Sequence, residues 1–102
     1  MKLSEIEIIP VKPQGGLVAF ASLVVNDSIY LGSIGIHQRL SGGYRVVYPT
    51  KKVGVRDVSI FHPINRMTGK LIETAIVEKC EELFEKSDER NDRYSKARGQ
   101  VR

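Results

Sequence analysis

Residues 4–11, SEIEIIPV, alternate Glu5 and Glu7 with Ile6 and Ile8. A period of two belongs to a strand with one wet face, so a strand is expected here. Residues 17–25, LVAFASLVV, are apolar on both faces but for one serine: Val18, Phe20, Ser22 and Val24 on one, Leu17, Ala19, Ala21, Leu23 and Val25 on the other. Such a strand lies inside a sheet and is covered on both sides. Its alanines leave room for a packed helix or a second subunit. Pro13-Gln14-Gly15-Gly16 before it and Asn26-Asp27-Ser28 after it read as turns. A third strand, 29–38 (IYLGSIGIHQ), carries Gly32 and Gly35, which weaken it and mark a bulge or a close backbone approach. Ser41-Gly42-Gly43 turns the chain into a fourth strand, 44–48 (YRVVY), which Pro49 ends.

Beyond Pro49 the pattern changes. Residues 49–57, PTKKVGVRD, read as a polar loop punctuated by Pro and Gly. Residues 58–62, VSIFH, read as a short fifth strand, with His62 kept extended by Pro63. From 69 to 85, Ile72, Ala75, Ile76, Cys80, Leu83 and Phe84 recur at three-to-four spacing opposite glutamates, which predicts one amphipathic helix. Thr68 is placed to cap its start. Residues 86–102 hold almost no apolar side chains and are expected to form a polar, disordered tail. The expectation is an α+β fold: an antiparallel meander of four to five strands with one long C-terminal helix packed on the sheet, as a single domain over 1–85.

At 102 residues the chain suits one domain with a modest core, which dimerisation would help. A hydrophobic content of 41% beside 27% charged residues is ordinary for a globular protein. No stretch approaches the ~18 uninterrupted apolar residues of a membrane span. Glu5 and Glu7 stand where an export signal would be apolar. The single cysteine, Cys80, has no partner for an internal disulfide. These features point to the reducing cytoplasm and away from a membrane.

The net charge of +4 is unevenly spread. Residues 39–70 hold seven basic residues against Asp57 alone, whereas 71–85 hold five glutamates against Lys79 alone. A basic block beside an acidic helix suits either an anionic partner or a solvated surface. Lys51, Lys52 and Arg56 flank Gly54 and are placed to follow a phosphate backbone. Arg66 and Lys70 flank the expected helix start, where cations oppose the macrodipole. Together with free N–H groups they make a phosphate cradle. Tyr44 and Tyr48 share a strand face, as core residues or as platforms for bases.

His62 is a candidate for chemistry only if a nucleophile or carboxylate is positioned beside it. Asp57 and Ser59 lie near in sequence at no catalytic spacing. Two histidines and one cysteine without ligand spacing make no metal site. His62, Pro63 and Asn65 are therefore assigned to a structural turn. The glycine pairs fit no dinucleotide or phosphate-loop pattern. No catalytic residue, cofactor or small-molecule substrate is expected, and the chain reads as a non-enzyme.

The segment from Pro49 to Lys70 resembles the stage V sporulation protein G family of bacterial septation regulators. The matching residues are Pro49-Thr50-Lys51-Lys52, then Arg56-Asp57, then His62-Pro63-Ile64-Asn65, then Gly69-Lys70. The resemblance extends over residues 3–85. It implies a cytoplasmic homodimer that binds nucleic acid, DNA and possibly RNA, and influences septation, sporulation and gene expression. By matching position it assigns nucleic-acid contacts to Lys51, Lys52 and Lys70, with Arg56 beside them. The family commonly has a basic residue before the glycine, where this chain has Thr68, and Arg66 carries the charge instead. Lys52 stands at an arginine-like position, without bidentate capacity. The alternative is a protein-interaction module of cell division that does not touch nucleic acid.

Overall fold

The structure, a computed structural model, describes residues 1–84 in full and, beyond them, the backbone course of the helix to Val101. The expected tail over 86–102 falls outside the residues described in full. Four strands, β1 (Leu3–Gln14), β2 (Leu17–Val25), β3 (Ile29–Gln38) and β4 (Tyr44–Val47), form an antiparallel meander in chain order. A separate two-stranded ribbon follows, β5 (Thr50–Val53) with β6 (Arg56–Ser59), and then α1 (Arg66–Val101). The α+β architecture and the helix on the sheet agree with the hydrophobic pattern.

Prolines 10 and 13 fall within β1, which is tolerable because β1 is an edge strand. Gly15 and Gly16, with φ of +59° and +92°, close the two-residue turn between Gln14 and Leu17. Two left-handed central residues are what such a hairpin turn needs. At the next turn Asn26 and Asp27 adopt φ of 51° and 53°. Lys2 holds this turn from β1's approach: its N–H donates to Asn26 Oδ1 and its ammonium pairs with Asp27 at 2.9 Å.

Of the sheet's four irregularities in register, two flank the middle of β2. β1 carries an extra residue between Ser4 and Glu7, where Glu5 has φ 49°. β3 carries one between Leu31 and Ile34, where Ser33 has φ 61° beside Gly32. Both lie level with Leu23 of β2, which is fully buried. Bulges increase local twist and bend the strand. The edge strands β1 and β4 are the ones that approach the helix most closely.

Ala19, Ala21, Leu23, Ile34 and Ile36 from the sheet meet Ile72, Ile76 and Cys80 from α1. The helix residues are four apart and share one face, and the small alanines let that face come close. Tyr44 stacks on Phe84 (centroids 5.9 Å, planes at 19°) and Tyr48 meets Phe61 edge-on at 6.1 Å. Both tyrosines are thus packed against the core cluster.

Three expectations are corrected. Residues 49–57 are not a loop but most of a β-ribbon, and the strand expected over 58–62 is Arg56–Ser59. The helix starts at Arg66, capped by Asn65 and not Thr68. β2 is central, yet α1 covers one of its faces only; on the other, Phe20 remains 37% exposed. A single helix cannot cover both faces. Among the described residues no helix is long and apolar enough to cross a membrane.

Candidate nucleic-acid interface

The basic segment is shaped by its turn. Thr50-Lys51-Lys52-Val53 runs outward and Arg56-Asp57-Val58-Ser59 runs back, joined by Gly54-Val55. Gly54 has φ +65°, the first-position glycine of a two-residue hairpin turn. At the base, Ile60 N–H donates to Pro49 C=O at 3.0 Å. All eight strand residues are exposed, so the ribbon buries neither face.

Pairing sorts the charges. Lys51 lies opposite Val58 and Val53 opposite Arg56; Thr50 lies opposite Ser59 and Lys52 opposite Asp57. Cross-strand partners share a face and neighbours along a strand alternate. One face therefore carries Lys51, Arg56, Val53 and Val58. The other carries Lys52 with Asp57, between Thr50 and Ser59. The adjacent lysines point to opposite sides.

The HPIN segment forms the helix entry. His62 Nδ1 and the Pro63 carbonyl are 2.9 Å apart; a carbonyl only accepts, so this contact puts the proton on Nδ1. Asn65 Oδ1 accepts from Thr68 N–H at 2.8 Å, the geometry of an N-cap. The next carbonyl bond, Gly69 N–H to Asn65 C=O, is 3.1 Å. The Pro63 ring packs beside Gly69, its Cγ 3.4 Å from where a side chain there would begin, an ordinary contact distance. His62 and Pro63 also border an apolar hollow of about 200 Å³ with Leu31, Tyr48, Phe61 and Ile72. Burial is the main cause of the raised Tyr48 pKa, with Glu73 adding to it.

Arg66 and Lys70 are both exposed and one turn apart on α1, whose first turn holds no acid. Lys70 borders a hollow of about 340 Å³ with Arg39, Gly42, Gly43 and Tyr44, and Glu73 and Glu78 stand along it too. Lys70 thus lies in mixed charge, unlike the Lys51–Arg56 face. Sequence reasoning missed Arg39 as Lys70's neighbour, and missed Val53, Val55 and Val58 as exposed residues of the basic ribbon. The alternation within TKKV and RDVS about Gly54 was the available signal for the latter.

These features define a small α+β protein with a basic β-ribbon between its sheet and its helix. No family model matches the chain. A protein of Finegoldia magna named for septation, SpoVG, is 32% identical over 89 residues, covering 84% of this chain and 80% of that one. The chain belongs to the SpoVG septation-protein family.

Proposed function

We propose that the protein is a nucleic-acid-binding regulator of septation, sporulation and gene expression, working in the bacterial cytoplasm as a homodimer. It is not an enzyme and takes no cofactor. The observation that carries this reading is the β5–β6 ribbon: Lys51 and Arg56 stand exposed, with no acid on their face, on a two-stranded element that buries neither side. Arg66 and Lys70 add charge at the helix start. Phosphate contacts would dominate affinity.

Homodimerisation is supported by β2. It is apolar on both faces, and α1 covers one. Across the open face, register aligns Ile9, Phe20, Gly35 and Val47 in one row over all four strands. Ile9, Phe20 and Val47 are exposed there, and a second copy would bury the row.

The test is fluorescence-anisotropy binding to short DNA and RNA across a salt series. Neutralising about six phosphates per dimer gives a slope of log K against log salt near −5 on duplex DNA. A folded Lys51→Ala/Arg56→Ala/Lys70→Ala variant should lose most of the binding and of the slope. Weak, salt-insensitive binding that the variant leaves unchanged would shift the reading to a protein-interaction module, with the acidic side of α1 as its contact.

A further inference from the structure

We infer that the β5–β6 ribbon enters the major groove of duplex DNA with its Lys51–Arg56 face leading, while the Lys52–Asp57 face points away. This rests on the nucleic-acid reading and adds to it a face, a form of nucleic acid and a division between neighbouring lysines. The two faces differ in charge. One carries Lys51 and Arg56 with no acid; on the other, Lys52 lies directly across from Asp57. A carboxylate on a contact face would meet phosphates of like charge, so the face without one is the face that approaches DNA.

The form of the nucleic acid follows from the ribbon's other side chains. Proteins that hold single strands stack bases on aromatic rings. The segment from Thr50 to Ser59 contains no aromatic residue, and Tyr44 and Tyr48 are engaged by Phe84 and Phe61. The leading face instead presents Val53 and Val58 between its cations, with Val55 at the tip 96% exposed. Aliphatic groups of this size suit thymine methyl groups, which lie in the major groove. That groove, about 12 Å wide in B-DNA, admits a two-stranded ribbon. The major groove of A-form RNA is too deep and narrow to be read in this way.

The experiment measures salt-dependent binding of full-length protein to a DNA duplex, an RNA duplex and single-stranded DNA of equal length. It compares wild type with Lys51→Gln, Arg56→Gln and the double variant Lys52→Gln/Asp57→Asn, whose net charge is unchanged. Lys51→Gln and Arg56→Gln should each reduce the magnitude of the salt slope by about 0.9 per protomer. The double variant should match wild type in slope and affinity, and the DNA duplex should bind more tightly than either alternative. Three results would overturn the inference while leaving nucleic-acid binding intact: a double variant as weak as Lys51→Gln, a double variant tighter than wild type, or preferred binding to single strands. Absence of any wild-type binding would overturn the nucleic-acid reading and this inference together. Capture by phosphatidylserine vesicles, with DNA binding indifferent to Lys51→Gln, would assign the ribbon to a membrane surface and sink its placement in the groove.

Discussion

Asn65 shows how one side chain sets the start of an element. Its Oδ1 takes the Thr68 N–H, leaving Arg66 as the first helical residue, with Pro63 folded back over Gly69. Asn65→Ala should cost ~1 kcal/mol of stability, and Asn65→Asp or Asn65→Gly only a few tenths. Urea midpoints of the three variants test this ranking; equal losses in all three would remove the cap as the cause. Cys80 makes a different case. Burial against the sheet, with Glu81 adding to it, pushes its thiol up to about 11 from an ordinary 9.0. Between these values the unfolded chain releases a proton that the folded chain keeps. The stability this provides is complete below pH 9.0 and is lost as pH rises towards about 11. Wild type should therefore lose stability more steeply than Cys80→Ala over that window, while its folded thiol reacts slowly with alkylating reagents. Parallel slopes for the two proteins would mean that the thiol titrates alike when folded and unfolded.

Among the elements, the helix and the ribbon are held by different forces, and mutations should separate them. Ile76 is fully buried between α1 and the sheet, so Ile76→Ala should cost roughly 2–5 kcal/mol and lower the global melting temperature. Gly54 is exposed at a turn with φ +65°, and alanine there costs ~1 kcal/mol of backbone strain. Because the ribbon buries neither face, Gly54→Ala should loosen it with little change in melting temperature, yet weaken DNA binding. A full loss of fold would show that the ribbon is part of the core. The same contrast explains what the amino-acid pattern revealed. β1 and the apolar stripe of α1 were legible because burial on one side imposes periods of two and 3.6 on their side chains, and β2 because it is an apolar run bounded by turns. β5 was not, because Thr50, Lys51 and Lys52 are all polar and face water on both sides. Thr68 displaced Asn65 as the expected cap because Gly69 looked like the helix's beginning, whereas Gly69 lies inside the first turn of α1, beside Pro63. The basic residues of the candidate site could be read one by one. Their grouping could not, since the face each occupies depends on the register about Gly54.

At the scale of the whole molecule, the open sheet face and the basic ribbon should be coupled through assembly. The row Ile9–Phe20–Gly35–Val47 crosses all four strands, and Phe20 lies near its middle. A lysine at that position would bring two like charges into any symmetric contact made by this face, at a cost of several kcal/mol. Its effect on the protomer should be small, because the side chain already reaches solvent. Phe20→Lys should therefore give a folded monomer by light scattering where wild type, on the proposed assembly, should be a dimer. The ribbon itself would be untouched, so each monomer should still bind DNA, but with half as many phosphates neutralised. The salt slope should fall in magnitude from near 5 to about half that, with a matching loss of affinity at low salt. This outcome differs from that of Lys51→Gln, which lowers the slope without changing the mass. A Phe20→Lys protein that stays dimeric would place the subunit contact elsewhere. A monomer that kept the full slope would mean that one ribbon and one helix start make all the phosphate contacts, and that the second subunit adds none.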